Sequence, residues 1–169
     1  MSDLVTGAIG VTGALIGGGV TMGASYLDGR WKRKLAFMER DHHVQDVQRE
    51  TAATFLRQAD LFLDTARALA GVLEGSRSDV NKEELYSRYE DEWTELVTSN
   101  SALQVIGPPE VAVAAQTVRR VAGTWADVLD DRYKGHRWPA DKQEKQEAAW
   151  DERRKFVLTA QRVFGPRLQ

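Results

Sequence analysis

The residues best suited to chemistry in this 169-residue chain are carboxylates and imidazoles that lie close together between positions 39 and 50. They are Glu39, His42, His43, Asp46 and Glu50. Glu39 and His42 have the Glu-x-x-His spacing with which helices of di-iron bundles supply ligands, but such a site needs a second pair and two further glutamates. His136 is the only other histidine and has no such partner. We therefore interpret the stretch as a solvated helix face and predict no metal and no cofactor, while a pH-sensing role for the paired histidines stays open.

Other catalytic chemistries have little support in the sequence. The chain has no cysteine, which excludes disulfides, thiol catalysis and zinc–thiolate sites. No serine stands in a Gly-x-Ser-x-Gly elbow, and no Ser/Lys pair stands out. With 23 basic and 25 acidic residues the net charge is −2, so no bulk field attracts nucleic acid. We predict neither an enzyme nor a nucleic-acid-binding protein.

A basic cluster follows a long segment without charge. Residues 4–27 are uncharged, and as a helix these 24 residues would extend about 36 Å, against about 30 Å for a hydrocarbon core. The cluster consists of Arg30, Trp31, Lys32, Arg33 and Lys34. Basic residues mark the cytoplasmic flank and contact lipid headgroups. We predict a single-pass anchor at 1–27 in a bacterial cell membrane, with the amino terminus outside. A cleaved signal peptide is the alternative, although the acidic start argues against it.

The predicted anchor is rich in glycine, with seven among its 24 residues. At about 100° per residue the small side chains fall on one helical face. That face contains Gly10, Gly13, Ala14, Gly17, Thr21 and Ala24. Small residues let a second membrane helix approach closely. The pattern predicts a homo-oligomer, the alternative being that the glycines reflect composition alone.

The fold predicted for the chain is all-α: an N-terminal transmembrane helix continuing into a charged stalk at 28–50 and an antiparallel four-helix bundle at 51–169. The first bundle helix has an apolar heptad seam. The seam consists of Ala52, Phe55, Ala59, Phe62, Ala66, Leu69 and Leu73. Short loops between helices of similar length favour an up-down-up-down bundle.

Capping and breaking residues predict the remaining helix boundaries. Ser78 or Asp79 is placed to cap the second helix, which residues 98–101 should weaken and Gly107 should end. Pro109 fits the first position of the third helix. Residues 134–139 form a loop, Asp141 caps the fourth helix, and Gly165 and Pro166 end it.

One loop carries a candidate binding surface. His136, Arg137 and Trp138 place an aromatic side chain beside an arginine, a combination typical of protein–protein contacts. We predict a contact with a cytoplasmic protein partner here. The alternative is that Trp138 packs on the end of the bundle.

One short run of the chain resembles a known group of proteins. The run is Ala102-Leu103-Gln104-Val105-Ile106-Gly107-Pro108-Pro109-Glu110-Val111, and an Ala/Val-rich helix follows it. It is similar to a pattern in uncharacterised actinobacterial, or phage, single-pass membrane proteins with a helical cytoplasmic region. The resemblance implies that architecture and no particular activity.

Together these features predict a membrane-anchored, self-associating helical scaffold or binding protein. The alternative function is a small membrane effector, phage-related or defensive, whose glycine-faced helices form an oligomer or pore.

Replacing Gly17 with isoleucine tests the glycine face. Gly17→Ile should abolish association between membrane segments because the added side chain separates the backbones, while insertion should improve because isoleucine is more apolar. A two-hybrid readout confined to the membrane segment measures association. Leu15→Ile, on the opposite face, should leave association unchanged. Association of Gly17→Ile at the parental level would show that the glycines are compositional.

Overall fold

The computed structural model describes residues 42–77 and 80–165, and it is all-α as predicted. Helix α1 covers residues 42–73 within this part of the chain. Helices α2, α3 and α4 extend over Lys82–Ile106, Pro109–Tyr133 and Lys142–Phe164. A compact unit begins at Gln45 and contains α1 from that residue onward together with α2, α3 and α4. The described residues include no strand.

Two hydrogen bonds join the helix ends near residue 45. The Gln48 side chain donates from Nε2 to the carbonyl oxygen of Ile106 at 2.8 Å. The Arg49 guanidinium donates to the carbonyl oxygen of Phe164 at 2.9 Å. The start of α1 therefore lies beside the ends of α2 and α4. We call this the proximal end of the bundle.

The opposite, distal end is joined in the same way. Arg132, near the end of α3, donates from Nη2 to the carbonyl oxygen of Leu73 at 3.3 Å. Lys142, the first residue of α4, contacts the Glu74 carboxylate at 2.5 Å. Consecutive helices thus run in opposite directions, as the short loops predict.

The predicted seam of α1 forms the centre of the core. Phe55 and Phe62 are fully buried. The Phe55 ring meets the edge of Phe156 from α4 at 4.9 Å between centroids. On the other side, Phe62 contacts Tyr89 and Trp93 of α2 at 5.4 and 5.2 Å. α1 therefore packs against both α2 and α4.

The contact between α2 and α3 is close at one glycine. A Cβ atom built on Gly123 would lie 3.3 Å from the Trp93 ring, tighter than usual van der Waals contact. Absence of a side chain at position 123 lets the indole lie against the α3 backbone. The same indole touches Phe62, so α1, α2 and α3 are all in contact at this point.

The start of α2 differs from the sequence prediction. Asn81 is the N-cap, and its side chain accepts hydrogen bonds from the backbone N–H groups of Glu83 and Glu84. The prediction of Ser78 or Asp79 as the cap was wrong because an asparagine stands closer to the first helical residue and fits the role equally well.

Residues 98–101, which were expected to weaken the second helix, lie within the continuous helix α2. Ser99 and Asn100 are buried within a continuous helix. The Ser99 hydroxyl donates to the carbonyl oxygen of Leu96 at 3.0 Å, which satisfies a side chain that would otherwise compete with the helix.

The other predicted helix boundaries are confirmed. Pro109 is the first residue of α3, and Gly107 follows the last residue of α2. α4 ends at Phe164, followed by Gly165 with φ of 82°. Asp141 precedes α4 as predicted, but its side chain makes no capping hydrogen bond.

Truncation of a seam residue should have a large effect on stability. Phe62 is fully buried against two aromatic rings, so Phe62→Ala should lower the free energy of unfolding by about 3–5 kcal/mol. His42→Ala, at an exposed position, should change it by less than about 0.5 kcal/mol. Denaturant unfolding of the two variants measures the difference, and equal losses would contradict the placement of the core.

Candidate functional site

The loop after α3 has a defined backbone. Gly135 has φ of 94°, and its N–H donates to the carbonyl oxygen of Arg132 at 3.0 Å. The N–H of His136 donates to the carbonyl oxygen of Asp131, also at 3.0 Å. These two bonds form a Schellman motif. The motif needs one residue in a left-handed backbone conformation, which glycine adopts without strain. The motif directs the following residues away from the α3 axis.

Trp138 returns from this loop to the bundle. Its ring stacks on Trp125 with centroids 6.3 Å apart and an interplanar angle of 13°. The Lys142 ammonium lies 4.7 Å from the ring centroid, and the Arg132 guanidinium lies 5.7 Å from it. The side chain is half-buried against the core. This is the packing alternative considered for Trp138, and contact with a partner stays a prediction.

The other two loop residues of the predicted contact face solvent. His136 and Arg137 are exposed. The His136 Nδ1 atom lies 3.5 Å from the Asp131 carboxylate, and both side chains are about two-thirds exposed. A shallow depression of about 330 Å³ adjoins them, bounded by Thr124, Asp127, Val128, Asp131, His136, Arg137, Pro139 and Lys145. The exposed pair and this depression are available for contact.

A larger groove lies between α1 and α4, also in the distal half of the bundle. Its volume is about 670 Å³, and its lining is Arg67, Glu74, Lys142, Gln143, Gln146, Glu147, Trp150, Asp151 and Arg154. The Arg67 guanidinium lies over the Trp150 ring at 4.5 Å from the centroid. We call it the distal groove. It offers charges of both signs around one half-buried aromatic ring.

A third cluster of polar side chains joins α2 to α3. The Tyr86 hydroxyl donates to the Asp130 carboxylate at 3.3 Å. The buried Tyr89 hydroxyl donates to the carbonyl oxygen of Ala126 at 3.2 Å. The ring of Tyr86 stacks on Tyr133 at 3.7 Å. The cluster borders a cavity of about 220 Å³.

The titration of this cluster follows from its environment. Burial raises the pKa of Tyr86 to about 12, and the negative charge of Asp130 acts in the same direction. Burial also raises the pKa of Tyr89 well above its usual range. The pKa of Asp130 is raised by burial, while the hydroxyls of Tyr89 and Tyr86 oppose this shift. At neutral pH both phenols are therefore hydrogen-bond donors.

The first candidate for chemistry, the residues between 39 and 50, lies partly within the described chain. His42, His43, Asp46 and Glu50 are exposed on α1, and Glu39 falls outside the described residues. In residues 42–77 and 80–165, no three histidine, aspartate or glutamate side chains converge as metal ligands would.

The predicted membrane segment falls outside the described residues. So do its small-residue face (Gly10, Gly13, Ala14, Gly17, Thr21 and Ala24) and the basic cluster (Arg30 to Lys34). None of the helices within the described chain has the length and apolarity needed to span a bilayer.

Two long-range pairs were not predicted. Arg153 makes a bidentate ion pair with Asp60 at 2.6 and 2.7 Å, which ties α4 to α1. An arginine on the apolar face of the fourth helix was the available signal, because such a charge requires a partner. Arg67 and Trp150 are 83 positions apart, and no local pattern indicates their contact.

Comparison with known proteins adds no assignment. No protein-family model matches the chain, no curated protein is significantly similar to it, and no solved structure matches it. The geometry of the bundle and the sequence pattern therefore carry the functional proposal.

Alkaline unfolding tests the tyrosine cluster. An unfolded tyrosine ionises near pH 10, so the raised pKa of Tyr86 contributes stability that is complete below about pH 10 and is lost as the pH approaches about 12. Tyr86→Phe should cost about 1 kcal/mol at pH 7 through loss of the hydrogen bond to Asp130.

Between pH 10 and 12 the variant should lose stability less steeply than the parent, because it lacks the ionising hydroxyl of Tyr86. Tyr89 is present in both proteins and affects both slopes equally. Denaturant titrations across this range measure the two slopes. Identical slopes would contradict the assignment.

Proposed function

We propose that this protein is a membrane-anchored, self-associating helical scaffold that binds a cytoplasmic partner. One observation carries the proposal: the two ends of the bundle differ. Arg49, near the start of α1, lies at the proximal end, so the part of the chain that contains the uncharged segment 4–27 precedes the bundle at this end. The distal groove and the 134–139 loop lie at the other end. An anchor at one end would hold a binding surface away from the lipid.

The length of the bundle supports this separation of roles. α1 extends about 40 Å from residue 45 to residue 73, at 1.5 Å per residue. A partner at the distal groove would therefore lie well clear of the headgroups. The basic cluster at 30–34 would occupy the cytoplasmic headgroup layer and fix the orientation.

The chemistry of the distal groove suits a protein partner. Tryptophan and arginine are the residues that most often dominate binding energy at interfaces. Trp150 and Arg67 are already stacked, so little side-chain freedom would be lost on binding. Glu147, Asp151 and Arg154 follow one another along the exposed face of α4, where Arg154 is paired with Asp151, and they would offer a partner charges of both signs.

Cross-linking in cells tests the anchor and the binding surface together. The chain has no cysteine, so a single introduced cysteine reports one position. Gln143→Cys lies in the distal groove, and Gln116→Cys is a matched exposed position on α3 outside it. We expect the full chain to stay with membranes after carbonate washing, and a thiol cross-linker to give a discrete adduct from position 143 and none from 116.

The possible outcomes distinguish a scaffold from a pore and from a protein that is neither. Release of the chain by carbonate would reject the anchor. Equal adducts from both positions would reject the distal groove as the binding surface. Collapse of the membrane potential on induced expression, recorded with a voltage-sensitive dye, would favour the pore-forming alternative that the glycine face suggests.

A further inference from the structure

The proximal end of the bundle exposes apolar side chains that the core does not use. Val105 is 85% exposed and Val113 is 67% exposed, with Ile106 at 41% and Val163 at 38%. Gln104 donates to the carbonyl oxygen of Ala112 at 2.6 Å across the turn between α2 and α3. Val105 and Val113, each next to one of these two residues, therefore lie at the same corner of the bundle. We call Val105, Ile106, Val113 and Val163 the proximal apolar surface. Branched aliphatic side chains this exposed contribute little to folding.

The corner that presents this surface is rigid. A Cβ atom on Gly107 would lie 2.6 Å from the carbonyl oxygen of Leu103, so position 107 has no room for a side chain and its backbone packs directly against the end of α2. Pro108 and Pro109 then fix two consecutive φ angles. The side chains on either side of the turn are therefore held in place before any contact forms, which reduces the entropy lost on binding.

The occupant is indicated by the chain that precedes the bundle. Lys34, the last residue of the basic cluster, is separated from Gln45 by ten residues, which reach at most about 40 Å when fully extended. Gln48 and Arg49 hold the start of α1 against the same end that carries the apolar surface. A surface that binds the basic cluster would therefore be connected to the proximal end of the bundle by at most about 40 Å of chain.

We propose that the proximal apolar surface docks on the lipid bilayer at the cytoplasmic interface, so that the bundle stands on the membrane. This rests on the proposed anchoring of residues 4–27. Arg162, exposed in the last turn of α4, lies at the same end and favours anionic headgroups. Glu110, exposed in the first turn of α3, is a charge suited to the headgroup layer and not to hydrocarbon.

The position of Glu110 sets the depth of insertion. Val113 lies one turn from Glu110 on α3, so the valine cannot enter the hydrocarbon deeply while the carboxylate stays hydrated. The contact is therefore shallow, at the boundary of headgroups and acyl chains, as for other interfacial apolar faces.

Site-specific fluorescence on the full chain tests the contact. Val105→Cys is labelled with an environment-sensitive dye and reconstituted in vesicles that contain anionic lipid. Val80→Cys, another exposed valine but at the distal end, is the matched control. Lipids with a quencher near the headgroup should cause a loss of fluorescence at position 105 and none at 80. A quencher near the bilayer centre should have less effect at 105 than the shallow one.

A second variant removes the contact without disturbing the core. Val105→Asp combined with Val113→Asp, with the label at Val163→Cys, should keep its helical circular dichroism because both valines are exposed. Carboxylates at these positions should abolish quenching at position 163, whereas the label at 163 with both valines present should be quenched.

Each result bears on the proposal. If the chain stays with the vesicles after carbonate washing but the lipid quenchers affect positions 105 and 80 equally, docking is overturned and the anchor is not. Shielded emission at 105 that lipid-attached quenchers do not change would mean that a protein surface, such as a second copy, covers the valines, which also overturns it. Loss of the chain from the vesicles would reject the anchor and docking together.

Discussion

The fold depends on burial of a single apolar seam along α1. Packing of an apolar face, more than intrinsic propensity, stabilises most helices in proteins, so each helix depends mainly on the face it buries. Phe62 occupies one side of the seam against α2, and Phe55 occupies the other against α4. α3 packs against both α2 and α4 and closes the bundle. Residues at the two ends then need only modest polar contacts to complete the arrangement.

Directional polar pairs favour one relative height of neighbouring helices. The bidentate pair between Asp60 and Arg153 needs two parallel hydrogen bonds at once, which sliding of α1 along α4 would break. The hydrogen bond from Tyr86 to Asp130 has the same role between α2 and α3. Apolar contacts supply most of the driving force and tolerate sliding, whereas these directional contacts do not.

The sequence predicted most of the fold because its signals are local. Heptad spacing identified the seam through Phe62, and Pro109 identified the start of α3. The N-cap of α2 was predicted wrongly because aspartate and asparagine are equally good N-cap residues. The sequence did not show that the helix begins directly after Asn81. The distal groove was not predictable, since Arg67 and Trp150 meet only after two distant helices pack. For Trp138, the sequence left packing and partner contact open.

Gly123 has a consequence for how this sequence can change over generations. Its missing side chain leaves 3.3 Å to the Trp93 ring, and that ring also touches Phe62 of α1. A methyl group at 123 would come closer to the indole than most Cβ atoms come to a neighbour, so the ring, which also contacts a third helix, would have to shift by a few tenths of an ångström. Positions 93 and 123 should therefore covary, with larger side chains at 123 accompanied by smaller ones at 93. The combined size of the side chains at positions 93 and 123 should therefore follow the distance between α2 and α3.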